Sequence, residues 1–177
     1  MRQSMKIVAI TGSLRTASSN TALLCAMSQL APPDVEIVLY EELGTLPHFN
    51  PDLDEDVPPE SVARLRALLQ AAAGVLISSP EYAHGVPGSL KNLLDWLVST
   101  GELVGKPVAL INASSRSAFA NAQLVETLKT MSWKIVAEAS ITLLTMTRSF
   151  DEAAIVADSE ISMALRGAIA AFVKAVK

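Results

Sequence analysis

The chain has 177 residues, of which 50% are hydrophobic, 18% are charged and 5% are aromatic, and its formal net charge is −4. A domain of this length can bury a full core without disulfides or a metal, and the single cysteine, Cys25, excludes an intramolecular disulfide. The negative charge and the lack of a basic cluster argue against a nucleic-acid-binding surface.

We expect one domain over residues 1–177 and a cytoplasmic location. No apolar stretch of the sequence approaches the roughly 20 residues of a membrane span, and the N-terminus has no signal-peptide pattern. Met5 is an alternative start, which would leave residues 1–4 as an extension outside the fold. Neither a membrane nor a nucleic acid is an expected partner.

Apolar runs and helical spacing alternate along the chain. Continuous apolar runs are typical of buried parallel strands, and apolar residues three and four apart are typical of amphipathic helices. Predicted strands cover residues 6–11, 35–40, 74–79, 107–112 and 135–137, with 141–144 as a candidate extension of the fifth. Predicted helices cover residues 20–30, 61–72, 87–101, 118–131 and a C-terminal segment that Ser159 would cap. Residues 41–59 contain four prolines and are expected to form a lid or an interface segment.

Five strands that alternate with helices predict an α/β fold. We expect a doubly wound, five-stranded parallel sheet in the flavodoxin-like order 2-1-3-4-5, with helices on both faces. In that order strands one, three and four are neighbours, so the turns that follow them converge on one crevice at the carboxyl ends of the strands. Ligands of such sheets bind in that crevice.

The first of these turns, residues 11–21, is rich in hydroxyl groups. Free backbone N–H groups at the start of the next helix favour an anion, and the guanidinium of Arg15 fits phosphate oxygens. Further donors can come from the hydroxyl groups of Ser13, Ser18, Ser19 and Thr21. A phosphate cradle and an ordinary capped helix start explain this turn equally well, because serine and asparagine are common N-caps.

The second turn, residues 80–88, suits a planar ligand. Pro80, Tyr82, Gly85 and Gly88 together form a flat, stiff wall against which a ring could lie, with backbone N–H groups facing its edge. In the helix that follows, Lys91 and Asn92 are candidate polar anchors. A solvated helix residue is the favoured interpretation of Lys91.

Two further residues of this helix are open to more than one interpretation. Asp95 and Trp96 could fix the helix against the neighbouring loop. For Trp96, simple packing in the core or an interface is the alternative.

The two motifs together resemble the NADPH-dependent FMN reductase family, which also includes chromate, azo-dye and quinone reductases. The residues that carry the resemblance are Gly12-Ser13-Leu14-Arg15, Ser18, Asn20, Pro80-Glu81-Tyr82, Pro87-Gly88, Leu90-Lys91-Asn92 and Asp95-Trp96. Two motifs, each following a strand, are more specific than a single glycine-rich turn. Strand and helix order agree with the family over essentially the whole chain.

The resemblance implies where FMN binds. By the resemblance, the residues around the FMN phosphate are Ser13, Arg15, Ser18, Asn20 and Thr21. The residues beside the ribityl chain and the flavin ring are Pro80, Glu81, Tyr82, Ala83, His84 and Gly85, with Ser114 in the third turn. No side chain is assigned as a catalytic acid or base, because the cofactor carries the redox chemistry. Tyr82 and Arg116 are only candidates near the flavin face.

The implied activity is that of an oxidoreductase. The resemblance implies that hydride passes from NADPH or NADH to bound FMN and then to a quinone, a flavin or another small electron acceptor. It also implies that the chain forms a homodimer or homotetramer. An electron carrier that binds flavin without oxidising NAD(P)H is the alternative. A scaffold or sensor that has lost flavin is a third interpretation.

The sequence departs from the family at two places. Ala83 stands where relatives often have asparagine. The contact of that asparagine near the flavin is therefore either missing or supplied by His84. The third turn, residues 112–118, lacks the usual glycines, which puts the close approach of the backbone to the flavin in doubt.

Two other chemistries are disfavoured. Cys25 lies inside a predicted helix and is interpreted as an inert core thiol. His48 and His84 have no helical partner ligand, so a metal site that combines them with Asp52 or Asp54 is not expected.

Overall fold

A computed structural model of the chain describes residues 4–99, 101–143 and 151–177. Within these ranges the strands are β1 (Met5–Thr11), β2 (Val35–Tyr40), β3 (Gly74–Ser78), β4 (Pro107–Asn112), β5 (Lys134–Ile135) and β6 (Ile141–Thr142). The helices are α1 (Ser19–Leu30), α2 (Glu60–Ala71), α3 (Gly88–Val98), α4 (Ala118–Thr130), α5 (Glu152–Ala157) and α6 (Ser159–Val176). Of the expected N-terminal extension, residues 1–3 lie outside the described residues, and Ser4 is exposed.

The strands form one parallel sheet in the order β2-β1-β3-β4-β5. Ile7 of β1 pairs with Ile37 of β2 on one side and with Gly74 of β3 on the other. Successive residues of β1 face different cores: Val8 and Ile10 pack with residues of α2, α3 and α4, whereas Ile7 and Ala9 pack with residues of α1 and α6. The predicted flavodoxin-like order and the helices on both faces are therefore confirmed.

The fifth strand position is divided in two. Both β5 and β6 pair in parallel with β4, and a short 3-10 turn at Ala137–Ala139 separates them. The Ser140 hydroxyl bridges the break, because it accepts the Leu110 N–H at 3.1 Å and donates to the Val136 carbonyl at 2.9 Å. The single strand predicted from residue 135 is thus interrupted, and residue 144 of its candidate extension lies outside the described residues.

The C-terminal part differs from the prediction in two details. The N-cap of α6 is Asp158, whose carboxylate accepts the N–H groups of Glu160 and Ile161 at 3.0 Å, so Ser159 is the first helical residue and not the cap. The short helix α5 was not predicted. Its N-cap is Asp151, which accepts the Ala154 N–H at 2.8 Å.

The segment 41–59 is fixed to α3. The Asn92 side chain accepts the Phe49 N–H at 2.7 Å and donates to the Pro47 carbonyl at 2.9 Å, and the Trp96 indole N–H donates to the same carbonyl at 2.8 Å. Trp96 is also fully buried, so it both packs in the core and anchors the loop. These three hydrogen bonds hold Pro47 and Phe49 of the segment against α3.

No helix of the described part of the chain is long and apolar enough to cross a membrane.

Candidate active site

Three turns meet at the carboxyl ends of β1, β3 and β4. The first two touch at Gly12, whose N–H donates to the Ser78 carbonyl at 2.8 Å. A Cβ at position 12 would lie 2.8 Å from the Ser79 hydroxyl and 3.0 Å from a Leu90 methyl, so only glycine allows this approach without a shift. A cavity of about 280 Å³ opens between the three turns; its lining residues are Ser19, Asn20, Pro80, Glu81, Ala113, Ser114, Arg116 and Ser117.

The first turn combines an ordinary helix cap with unused donors. Ser18 caps α1 and accepts the Thr21 N–H at 3.4 Å, while Ser13 accepts the Arg15 N–H at 3.3 Å. Both serines are buried, whereas Arg15 is exposed and forms no ion pair within the described ranges. The cap interpretation is therefore correct, and the same turn still offers a guanidinium and a helix N-terminus to an anion.

Hydroxyl groups at the strand ends orient the first turn of α1. Thr11 ends β1 and Ser78 ends β3, and the two residues pair across the sheet. The Thr21 hydroxyl lies 3.1 Å from the Thr11 hydroxyl, and the Ser78 hydroxyl donates to Asn20 Oδ1 at 2.9 Å. Asn20 and Thr21 are thus fixed by the sheet, and these two partners were not identified from the sequence.

A second cavity lies on the other side of this helix turn. Its volume is about 460 Å³, and its lining residues are Thr16, Ala17, Ser18, Thr21, Ala22, Cys25, Asp151 and Glu152. Asp151 and Glu152 are the acidic residues of its lining. Burial raises the pKa of the Cys25 thiol, and Glu152 and Glu41 raise it further, so this thiol is a poor nucleophile.

The second turn is a tight hairpin. The N–H and C=O groups of Tyr82 and Gly85 bond to each other in both directions at 3.0 Å, and the two residues between them have positive φ, +49° at Ala83 and +59° at His84. Two central residues with positive φ are typical of a type I′ turn. The left-handed conformation thus falls on the two non-glycine residues, and Gly88 becomes the first residue of α3.

Two side chains join this hairpin to α4. The Glu81 carboxylate accepts the Ala120 N–H at 2.9 Å, and Gln123 Oε1 accepts the Val86 N–H at 2.7 Å. Glu81 therefore has a structural partner in addition to its position in the cavity wall. The role of Gln123 was not foreseen, because it lies in the second turn of a helix with no motif around it.

The third turn contributes polar groups despite its lack of glycine. The Ser114 hydroxyl accepts the Arg116 N–H at 3.1 Å, and both residues line the smaller cavity. Ser19 and Ser117 line the same cavity. Ser19 was a candidate hydroxyl donor of the first turn, whereas Ser117 was not predicted, although its position at a helix start could have identified it.

An aromatic pair joins the second turn to the start of α4. The rings of His84 and Phe119 are stacked, with centroids 4.5 Å apart and an interplanar angle of 8°. His84 follows the cavity residue Glu81 by three positions, and Phe119 follows Ser117 by two. Both rings belong to exposed residues.

The predicted site residues are only partly brought together. Asn20, Pro80, Glu81 and Ser114 line the smaller cavity, and Ser18 and Thr21 line the larger one. Ser13, Arg15, Tyr82, Ala83, His84 and Gly85 stand in the first two turns without lining either cavity. No group of three or more His, Cys, Asp and Glu side chains gathers as a metal site among the described residues.

The donor set of the three turns fits FMN. A phosphate monoester needs a cation and N–H donors, which Arg15 and the start of α1 provide. A flavin edge needs backbone and hydroxyl groups beside a narrow cleft, which the second and third turns provide. These two ends lie on adjacent strands of the sheet, as one elongated cofactor requires.

Comparison with known proteins agrees with this geometry. The sequence profile of the NADPH-dependent FMN reductase family matches residues 5–143, a range that includes all three turns. A flavoenzyme NAD(P)H:(acceptor) oxidoreductase from Paracoccus denitrificans has a similar structure, with a TM-score of 0.79, 30% sequence identity and 97% coverage of each chain.

Curated relatives are similar over a shorter range. A quinone reductase of Escherichia coli K12 is 33% identical over 126 residues, which are 70% of this chain and 66% of that protein. A 2-hydroxy-1,4-benzoquinone reductase of a Burkholderia species is 40% identical over 113 residues, 62% of this chain and 61% of that protein. In each case the match spans less than two thirds of the relative. The family match over residues 5–143 nevertheless covers most of the present chain, which therefore belongs to the NADPH-dependent FMN reductase family.

Proposed function

We propose that the protein is an NAD(P)H-dependent oxidoreductase that binds FMN and reduces quinones or other small electron acceptors. The observation that carries this proposal is the meeting of three turns at neighbouring strand ends around a cavity of about 280 Å³, with Arg15 and a helix start in the first of them. Relatives named quinone reductase and 2-hydroxy-1,4-benzoquinone reductase support quinones as the acceptor class.

The first turn would hold the phosphate of FMN. The N–H groups at the start of α1 and the Arg15 guanidinium would bind its oxygens, and the hydroxyls of Ser13 and Ser18 would complete the cradle. Asn20 and Thr21 would support this turn, since Ser78 and Thr11 already fix them to the sheet.

The second and third turns would border the ring system. Pro80, Glu81 and the hairpin of Tyr82, Ala83, His84 and Gly85 would form one wall, and Ser114 would contribute from the other. When bound, FMN supplies two-electron redox chemistry. Overall, NAD(P)H, a quinone and one proton give NAD(P)⁺ and a hydroquinone, so two electrons leave the nicotinamide and the second proton comes from solvent. The chain itself binds, orients and limits access.

We also propose a homodimer or homotetramer in the cytoplasm, where NAD(P)H is available. The side chains of Leu14, Leu53 and Val57 are apolar and exposed, and burial in a subunit contact would remove them from water. Leu14 lies against the 41–59 segment, because a Cβ on Gly44 would be 3.3 Å from its methyl group. Light scattering coupled to gel filtration measures the oligomeric state directly; a monomer at all concentrations would contradict this part.

Titration of the purified protein with FMN tests the proposed site. We expect quenching of flavin fluorescence on binding, and we expect Arg15→Ala to weaken the affinity about tenfold or more, since a charge-assisted contact to phosphate is lost. Arg64→Ala is the matched control, because Arg64 is also exposed but lies on α2, pairs with Glu42 and Glu60 and lines neither cavity. Unchanged affinity in Arg15→Ala would show that the phosphate binds elsewhere, and no quenching at all would contradict the proposed cofactor.

A further inference from the structure

The stack of His84 on Phe119 is not explained by core packing. Phe119 is 59% exposed in the first turn of α4, although a phenyl ring in water forgoes the gain of burial. His84 is exposed as well, and its φ of +59° is the conformation that the type I′ turn of the hairpin requires. Two rings held together at the surface leave aromatic area available to a ligand.

The backbone on both sides of the stack is fixed. Glu81 precedes His84 and accepts the N–H of Ala120, the residue after Phe119, while Gln123 accepts the Val86 N–H. The closed Tyr82–Gly85 hairpin fixes His84 from the other direction. The two rings are thus preorganised by hydrogen bonds of their neighbours, so a ligand that contacts them has little conformational entropy to remove.

The stack is close in sequence to the wall of the cavity between the three turns. Glu81 and Ser117 line the cavity between the turns, and each lies within three residues of one ring. In a stacked pair each ring uses one face, and the exposure of both residues leaves ring surface outside the pair. A further flat aromatic ring is the ligand that such a surface favours, because offset stacking continues across a third ring.

We propose that the His84–Phe119 stack determines specificity for the electron acceptor. The stack contacts planar aromatic acceptors and does not contact acceptors that lack a ring. This inference rests on the proposed oxidoreductase function. It assigns two residues of this chain, one in the second turn and one at the start of α4, to the recognition of the acceptor.

Two variants remove the ring surface with little other change. Phe119→Leu keeps an apolar side chain of similar size in the helix, and His84→Asn keeps a residue that tolerates positive φ. Met163→Ala is the control, because Met163 is also an exposed apolar residue but lies on α6, which contributes to neither cavity wall. Each FMN-loaded protein is assayed at saturating NADPH with 2-methyl-1,4-naphthoquinone and, separately, with ferricyanide.

We expect both variants to raise KM for the naphthoquinone about 2- to 10-fold, the effect of one aromatic contact. For Phe119→Leu, the kcat and KM for ferricyanide and the affinity for FMN should stay within about twofold of the unmodified protein, as should all values for Met163→Ala. His84 also belongs to the proposed flavin wall, so His84→Asn is judged by a KM for the naphthoquinone that rises more than its KM for ferricyanide. Equal changes with both acceptors, or no change with either, would overturn the proposal. A change of oligomeric state in Phe119→Leu without a selective effect on the naphthoquinone would also overturn it and would assign the ring to a subunit contact.

A measurement without turnover separates this inference from the proposed function. The chain has only two histidines, so the imidazole C–H signals of His84 are assigned by their loss in His84→Asn. In the oxidised, FMN-loaded protein, the naphthoquinone should shift the His84 signals by its ring current and leave those of His48 in place. Shifts of neither histidine, in a protein that does reduce the naphthoquinone, would overturn the inference alone. A protein that oxidises no NADPH with either acceptor would overturn the proposed function and this inference with it.

Discussion

The Glu81 carboxylate accepts the backbone N–H of Ala120 at 2.9 Å, so the turn after β3 caps the helix that follows β4. Ser117 occupies the N-cap position of α4 and forms no side-chain cap. An unpaired N–H at a helix start needs an acceptor, and a carboxylate also interacts favourably with the helix dipole. One side chain thereby fixes the distance between two walls of the candidate active site.

Removal of this cap should cost stability. We expect Glu81→Ala to lower the free energy of unfolding by about 1 kcal/mol, within the range measured for lost N-caps, whereas Glu81→Gln keeps an acceptor oxygen and should lose less. Chemical denaturation monitored by circular dichroism measures both variants. If the two variants are equally stable, or if alanine stabilises the protein, Glu81 does not cap α4 in solution.

Gly12 should not tolerate a side chain. A Cβ at this position would lie 2.8 Å from the Ser79 hydroxyl, so Gly12→Ala should separate the first two turns, destabilise the protein by about 1–3 kcal/mol and weaken FMN binding. Gly88→Ala is the matched control, because a Cβ there would meet no described atom within 4 Å. Thermal unfolding and a flavin fluorescence titration report the two effects. Equal behaviour of both alanine variants would mean that the turns do not approach as closely as described.

The ion pair of Arg66 and Asp54 should matter far more than those at the surface. Arg66 donates to Asp54 at 2.6 Å and to the Trp96 carbonyl at 2.6 Å, and the side chains of the pair are only 16% and 7% exposed. Burial raises the pKa of Asp54, but hydrogen bonds from Ser99 and Arg66 and the Arg66 charge outweigh it, so the net pKa is lowered.

We expect Arg66→Met to destabilise the protein by about 3 kcal/mol, because it leaves the Asp54 carboxylate buried without its partner. Arg64→Met breaks exposed ion pairs to Glu42 and Glu60 and should not change the melting temperature measurably. Differential scanning calorimetry distinguishes the two variants. Similar melting temperatures for both would indicate that the 41–59 segment does not depend on this pair.

Tyr40 gives a prediction at alkaline pH. Its hydroxyl is buried and has no hydrogen-bond partner in the part of the chain that the structure describes. Burial, with a further contribution from Glu42 and an opposing one from Arg64, raises the pKa of Tyr40 to about 12. Between the unfolded value of about 10 and this folded value, the unfolded state has lost the proton that the folded state keeps, so stability falls as pH rises through this window.

Tyr40→Phe removes both the unpaired hydroxyl and the titration. We expect its stability at neutral pH to equal or exceed that of the unmodified protein by up to about 1 kcal/mol, and its decline above about pH 10 to be less steep. Urea denaturation across this pH range provides the measurement. A clear loss of stability at neutral pH would mean that the hydroxyl has a partner.

The sheet could be predicted from the sequence wherever an apolar run had clear ends. The observed bounds of β4 are those predicted, because Pro107 and Asn112 delimit a continuous buried run. The division of the fifth strand could not be read in this way, since Ile135 and Ile141 are both apolar and the break depends on the Ser140 hydroxyl. Helix α5 has six residues, too few for a periodic pattern.

In the candidate site, too, features set by the local sequence could be predicted, and contacts between distant segments could not. The turns and their convergence follow from strand order, which the sequence indicates. Positive φ occurs at Ala83 and His84, the two central residues of the hairpin that closes at Gly85, and neither residue type indicates this conformation by itself. The contact of His84 with Phe119 joins residues from different turns, and no local pattern encodes such a pairing.

Anaerobic reduction of the FMN-loaded protein by NADPH tests the central claim most directly. The account predicts a yellow protein whose visible flavin absorbance is lost on addition of NADPH alone and returns when a quinone is added. A yellow protein that keeps its absorbance in the presence of NADPH and NADH would contradict the proposed reductase and indicate an electron carrier. A protein that stays colourless after incubation with FMN would contradict the flavin site itself.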